Sequence, residues 1–375
     1  MPLWIMPPWK LPWLAFVLAL ALSYLLTPLV SKLAVRFGAV AVPRERDVHS
    51  KPLPRWGGLA MFGGFLLTLG VIYLYIITHR HIFPWTASEL NHFTGVILAA
   101  TLVAVVGTLD DKFEVSAIFQ SLALVAAGVV LVMFGVRIEG ITNPFYHGPP
   151  AAHGYYPPGL MLSFPIWFSD FATVLWVFGV AKTVDFIDGL DGLAAGVCAI
   201  CAATLALMSA QVHQYEVTII AATLVGVCLG FLRYNKHPSS IIMGTVGAQF
   251  LGFTLAAISI IGTFKIAATV SVALPVLVLG VPIFDGIRVV TQRTIARTPA
   301  YLPDKTSHIH HILLRKYNGS QPRAVWMIYA LTACLCAVAF LLFRLSDRAT
   351  LSPRASHVGA SRSFSGPSGS PRIGG

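Results

Sequence analysis

Charge is scarce in this chain. Only 11% of its 375 residues are Asp, Glu, Lys or Arg, against about a quarter in an ordinary soluble domain, which excludes a water-soluble globule. Cysteine is sparse too. The five, Cys198, Cys201, Cys228, Cys334 and Cys336, all fall inside apolar blocks, which excludes a disulfide framework. The Cys198/Cys201 spacing suits a metal ligand pair, but small residues packing between helices are the simpler reading. Acids are fewer than bases, 15 against 26. The net charge of +11 raises the question of nucleic acid, and where the charges sit answers it.

What the chain has is apolar residue, 56% of the whole, in blocks long enough to cross a hydrocarbon core of about 30 Å, which takes roughly 20 helical residues. The blocks predict an all-α, polytopic transmembrane bundle of about ten spans, with an eleventh left open. They are Leu11 to Val30, Gly57 to Ile77, Thr94 to Leu109, Ala117 to Val136, Phe164 to Val180, Leu193 to Ala210, Val217 to Leu232, Gln249 to Phe264, Ala268 to Phe284 and Ala324 to Phe343. The first reads as a retained anchor, being long and without a small-residue cleavage site. Residues 1–343 form the membrane domain, and 344–375, rich in Ser, Gly, Pro and Arg, are expected to be a disordered tail. Residues 137 to 163, rich in Pro and Gly, read as an irregular outer connection.

Assigning alternate loops to opposite faces places 31–56, 110–116, 181–192, 233–248 and 285–323 together. Seventeen of the 26 Lys and Arg residues fall in that set, against Arg80, Arg137 and Lys265 on the other face. The first set is cytoplasmic by the positive-inside rule. The positive charge thus orients a multi-pass protein in a bilayer, and nucleic acid is not an expected partner.

The carboxylates follow the same face. Asp110, Asp111, Asp185, Asp188, Asp191, Asp285 and Asp304 all lie there, most within a few residues of an apolar block, where an ionised carboxylate is costly unless paired or bound to a cation. Asp188-Gly-Leu-Asp191-Gly is expected to place two carboxylates on one helical face. Carboxylates converging from several helices would make a hard-oxygen site suited to magnesium, which shares its shell with substrate phosphates. The plainer alternative is that they cap helices and form turns. His308, His310 and His311 fall within four residues of one another in a loop that also holds Arg288, Arg293, Arg297 and Arg315. That composition points to a phosphate-binding surface.

Five motifs then occur in order: Asp47-Val-His-Ser-Lys-Pro-Leu-Pro-Arg-Trp-Gly-Gly58; Leu109-Asp-Asp-Lys; Val184-Asp-Phe-Ile-Asp-Gly-Leu-Asp-Gly-Leu-Ala194; Phe231-Leu-Arg-Tyr-Asn-Lys-His-Pro238, leading to Met243-Gly-Thr-Val-Gly-Ala-Gln-Phe-Leu-Gly-Phe253; and His308-Ile-His-His311. Over about 47 to 314 the chain resembles the polyprenyl-phosphate N-acetylhexosamine-1-phosphate transferases, glycosyltransferase family 4. The His-Ile-His-His form is similar to the bacterial GlcNAc-1-phosphate and teichoic-acid-initiating branch, rather than the branch that loads muramoyl-pentapeptide. The resemblance implies a cell-membrane enzyme at the first membrane step of cell-wall or surface-glycan assembly. It would move a sugar 1-phosphate from a UDP-sugar to undecaprenyl phosphate and release UMP, with Mg2+ (or Mn2+) as cofactor and a homodimer as one oligomeric option. It assigns Asp110, Asp111, Asp188, Asp191 and His308 to catalysis. Lys51, Arg55, Lys182, Asn235, Arg293, His310 and His311 are its substrate-binding candidates, and Asp111, Asp185 and Asp191 its metal ligands.

The chain departs from the family pattern in places. Lys182-Thr-Val-Asp185 stands where members commonly have Asn-Ala-x-Asn, and Thr245 replaces the aspartate of Met-Gly-Asp. A lysine usual after the Asp-Asp motif is missing from Ile118-Phe-Gln120, and Asp304 is one residue farther from the histidines than usual. One expectation is that Asp185 replaces the lost carboxylate, with Lys182 meeting a phosphate. A rival is a catalytically silent binder of lipid phosphate or nucleotide sugar. A transporter would need carboxylates near mid-span and inverted repeats, and the sequence has neither.

Overall fold

A computed structural model describes residues 7–41, 52–80, 85–143, 145, 158–159, 161–263, 273–295 and 308–351. Asp47, Lys51, Arg297, Asp304 and residues 352–375 lie outside them. The described helices are α1 (Leu11–Arg36), α2 (Gly57–Thr78), α3 (Ala87–Phe113), α4 (Ala117–Met133), α5 (Ile166–Ile187), α6 (Leu193–Gln211), α7 (Tyr215–Asn235), α8 (Gly244–Thr263), α9 (Ala273–Val278), α10 (Gly280–Ile295), α11 (Ile309–Lys316) and α12 (Gln321–Leu351). Two short antiparallel pairs, β1 (Val40–Ala41) with β2 (Leu53–Pro54) and β3 (Gly140–Thr142) with β4 (Met161–Ser163), decorate the bundle. The β3–β4 pair gives regular structure to part of the connection read as irregular.

Seven helices, α1, α2, α3, α6, α7, α8 and α12, are long and apolar enough to cross a membrane, and α4 is a shorter apolar one. With α5, they build the all-α membrane bundle expected from the apolar blocks. The expected ninth span, Ala268 to Phe284, is different: its described part is divided into α9 and α10, and α10 runs on to Ile295 through the supposed loop. Helices also outrun the apolar blocks elsewhere. Helix α3 encloses Asp110 and Asp111, α5 encloses Lys182 and Asp185, and α8 begins early enough to include Thr245. Helix α12 continues to Leu351, past the boundary set at 343. Apolarity marks where lipid is, whereas a backbone leaving lipid still needs its hydrogen bonds and stays helical with polar side chains.

Helix α8 is the centre, packed against α2, α3, α5, α6 and α7. Close approach depends on residues without side chains. A Cβ on Gly58 would lie 2.1 Å from the backbone nitrogen of Gly247, and one on Gly107 would lie 2.4 Å from Cα of Val246. These glycines let α2 and α3 press their backbones onto the first turn of α8, as small residues do in membrane helix packing. The β1–β2 ladder is tied to the same place. Gly57 and Gly58 donate backbone N–H groups to the carbonyls of Ile242 (3.0 Å) and Met243 (2.7 Å), and Ile242 donates back to Pro54 (2.9 Å).

Local sequence sets the ends. Thr86 and Glu89 form a capping box that starts α3: Glu89 N donates to Thr86 Oγ1 at 3.2 Å and Thr86 N to Glu89 Oε2 at 2.7 Å. The α3–α4 turn passes through Glu114 with φ of 50° and restarts at Ser116, which caps α4 by accepting from Phe119 N. This tight turn brings the first helical turn of α4 back against the end of α3.

Candidate active site

The site lies where the polar ends of α3, α5, α8 and α11 meet. Asp111 Oδ1 accepts from Thr245 N at 2.8 Å and Oδ2 from Val246 N at 3.2 Å. A carboxylate from one helix thus caps another, using the exposed N–H groups and positive dipole end of α8. Gly244, with φ of 76°, makes the entry, and a Cβ there would lie 2.3 Å from Asp111 Oδ2 and from the Arg55 carbonyl. Arg55 is consequently at the site, and its guanidinium also reaches Glu114 at 3.5 Å.

Asp188 and Asp191 do not share a helical face. Asp188 ends α5, and the chain turns through Gly192, with φ of 76°, before α6 begins; the left-handed residue breaks the helix. Asp191 Oδ2 accepts from His237 Nδ1 at 2.8 Å and from Ser239 N at 3.3 Å. Asn235, buried, accepts from Gly192 N (3.0 Å) and donates to the Ile241 carbonyl (2.9 Å), fastening this turn to the loop before α8. Asp188 is half-buried and, among the described residues, receives no hydrogen bond. Burial, reinforced by the charges of Asp185, Asp111 and Asp191, pushes its carboxyl up to about 8. Four carboxylates near enough to feel one another's charge make a set of hard oxygen donors that fits a divalent cation such as magnesium.

Three of the sequence departures converge in one polar network. Lys182 Nζ donates to Asp185 Oδ2 and to Gln120 Oε1, both at 3.1 Å. Gln249 Nε2 donates to Gln120 Oε1 (3.1 Å) and Asp185 Oδ2 (3.2 Å), and Gln120 Nε2 donates to Asp110 Oδ1 at 2.9 Å. Lys182 is therefore engaged inside the protein. Its ammonium lies at the end of the residue-120 side chain, while Asp185 meets Gln249, one helical turn beyond Thr245 on α8.

The histidines close the other side. His308 Nδ1 donates to Asp285 Oδ2 (2.8 Å), and Ile309 N donates to Asp285 Oδ1 (2.7 Å), which joins α10 to α11. The rings of His308 and His310 stack at 5.2 Å, and His311 lies 4.3 Å from His310. His310 presses onto the aspartate turn so closely that a Cβ on Gly189 would lie 2.3 Å from its Nε2. Burial, with the neighbouring His311 and His308, lowers its imidazole to about 3, so it is neutral at physiological pH. Ligand atoms of Asp285, His308 and His310 lie within 4.8 Å of one another, but the 2.8 Å contact is already a hydrogen bond.

Of the candidates, Asp110, Asp111, Asp185, Asp188, Asp191, Arg55, Lys182, Asn235, His308, His310 and His311 come together. Lys51 is outside the described residues, and Arg293 lies two turns beyond Asp285, about 12 Å along the axis of α10. Gln249 and His237 were missed by sequence reasoning, and Gln120 was noticed only for the lysine it lacks. The spacing of Gln249 from Thr245 was the available signal.

Residues 93–263 match the model of glycosyl transferase family 4. The chain is 33% identical over 316 residues, 84% of its length and 80% of the relative's, to a probable undecaprenyl-phosphate N-acetylglucosaminyl 1-phosphate transferase of Bacillus subtilis (strain 168). It is 31% identical over 335 residues, 83% of this chain and 77% of the relative, to a decaprenyl-phosphate N-acetylglucosaminephosphotransferase of Mycobacterium tuberculosis (strain ATCC 25618 / H37Rv). Against a phospho-N-acetylmuramoyl-pentapeptide-transferase of Bacillus subtilis (strain 168) the identity is 28% over 300 residues, 80% of this chain and 86% of the relative. Motifs, membrane bundle and relatives agree, and the chain belongs to glycosyl transferase family 4, the polyprenyl-phosphate hexosamine-1-phosphate transferases.

Proposed function

We propose that this membrane enzyme transfers GlcNAc-1-phosphate from UDP-GlcNAc to undecaprenyl phosphate and releases UMP. The observation that carries the reading is a carboxylate cluster at the polar ends of the helices, beside an apolar groove. The groove, about 540 Å³, opens between α4 and α5 and is lined by Ala117, Ile118, Ser121, Phe171, Val174 and Phe178 among others. Ile118 and Ser121 flank Gln120, the partner of Asp110, so a prenyl chain in the groove delivers its phosphate to the carboxylates.

In the reaction a lipid phosphate oxygen forms a bond to the β-phosphorus of the UDP-sugar. The bond from that phosphorus to the bridging oxygen breaks, and UMP leaves with the electron pair while the sugar–oxygen bond stays intact. A phosphate with a second pKa of about 6 needs little help with deprotonation at neutral pH, so positioning and charge neutralisation dominate. Magnesium, held by Asp188 together with Asp111, Asp185 and Asp191, would offset charge on the phosphoryl oxygens. Arg55 supplies positive charge at the mouth. Neutral His310 and its neighbour His311 offer N–H donors to the diphosphate, His308 is held beside them by Asp285, and Asn235 keeps the Asp191 turn in register.

The test is UMP release by purified protein from UDP-GlcNAc, with and without undecaprenyl phosphate and Mg2+. Turnover that needs all three supports the reading. No turnover with any UDP-sugar would leave the silent binder, which the threonine at 245 favours.

A further inference from the structure

We propose that Gln120 and Lys182 act in series to hold the Asp110 carboxylate in place, which makes Lys182 a positioning residue. The inference rests on Asp110 being a working carboxylate of the proposed reaction. A glutamine amide has two ends of opposite character, and which end faces which neighbour is set by the neighbours. Lys182 Nζ, a group that only donates, is 3.1 Å from one end of the Gln120 amide, and Gln249 Nε2, also a donor, is 3.1 Å from the same end. That end must be the oxygen. The nitrogen then faces Asp110 Oδ1 at 2.9 Å and the Val115 carbonyl at 3.4 Å, both acceptors.

Lys182 cannot drift from this duty, because Asp185 Oδ2 holds the same ammonium at 3.1 Å and also takes Gln249 Nε2 at 3.2 Å. Gln120, Lys182, Asp185 and Gln249 close a ring drawn from α4, α5 and α8, and its one outward-directed amide points at Asp110. Without the ammonium the amide could turn over and present an oxygen to the carboxylate. With it, Asp110 has a fixed donor on one oxygen, and its other oxygen is left for the lipid phosphate or a cation. This is a charge-assisted chain in which the ion never touches the residue it serves.

Steady-state kinetics on a double-mutant cycle tests the series arrangement. Gln120→Glu keeps size and still accepts from Lys182, but has no donor for Asp110. It should lower kcat at least about ten-fold with KM for UDP-GlcNAc unchanged, whereas a purely packing role would tolerate it. Lys182→Met should cost a similar factor in the wild-type background and less than about two-fold in the Gln120→Glu background. A second arm needs no substrate. Gln120→Glu sets two carboxylates against each other, so it should lower the melting temperature in detergent by about 3 °C or more. In an Asp110→Asn background the amide provides the missing donor, and the drop should vanish. A Lys182→Met effect of equal factor in both backgrounds, or a melting drop unrelieved by Asp110→Asn, overturns the proposal. If the wild type does not turn over, the proposed reaction fails while the melting cycle still decides the Gln120–Asp110 coupling.

Discussion

His310 illustrates how much a single side chain's surroundings change its chemistry. Its ring is buried against Gly189 and between two other imidazoles, and its value falls from the ordinary 6.5 to about 3. In the unfolded chain it takes a proton below about 6.5, and in the folded chain it does not until about 3. Stability is therefore lost as pH falls through that window and is unaffected above it. At pH 5 the loss amounts to about 2 kcal/mol. We expect His310→Gln to lose less stability than wild type between pH 7 and pH 5, by that amount, in melting curves taken side by side. Asp111 works differently at the same scale. Both its oxygens are engaged by α8 amides, so Asp111→Ala should cost about 1–2 kcal/mol of stability as a lost helix cap, on top of its effect on turnover.

At the scale of elements, the site depends on how near three helices can come. Gly58 and Gly107 allow α2 and α3 to touch the backbone of α8, and that contact brings the Thr245 and Val246 amides onto Asp111. Gly58→Ala places a methyl where the nitrogen of Gly247 lies, and a backbone cannot yield as a side chain can. We expect it to destabilise the protein by several kcal/mol and to abolish UMP release, measured alongside detergent melting. Gly189→Ala should be milder in stability yet severe in activity, since the atom it meets belongs to His310 and not to a helix backbone. In the sequence, Gly189 and Gly192 stand only as parts of the Asp188-Gly-Leu-Asp191-Gly motif. Contact with His310 depends on where α11 is placed, and no local signal carries that.

At the scale of the molecule, this membrane bundle gathers Asp110, Asp111, Asp185, Asp188 and Asp191 at one end. Asp188 lies in that acidic end, and its carboxyl is raised to about 8 by burial and by Asp185, Asp111 and Asp191. A cation binding there must displace the proton, so its apparent affinity should grow as pH rises toward 8. We expect the Mg2+ concentration for half-maximal UMP release to fall about ten-fold per pH unit between 6.5 and 7.5. Independence from pH in this range would argue that Asp188 is not a ligand.

The sequence by itself determined the class of the protein, its membrane bundle and the acidic face, because apolar blocks, charge placement and spaced motifs are local properties of the chain. It also showed the departures at 120, 182, 185 and 245 one by one. Only the tertiary structure decided that Gln120, Lys182 and Asp185 meet in one network, that Asp111 caps a helix 134 residues away, and that Asp191 belongs to His237. Such pairings are set by the packing of α8 against α2, α3 and α5. Packing is a sum over many weak contacts between distant segments, and no short stretch of sequence contains it.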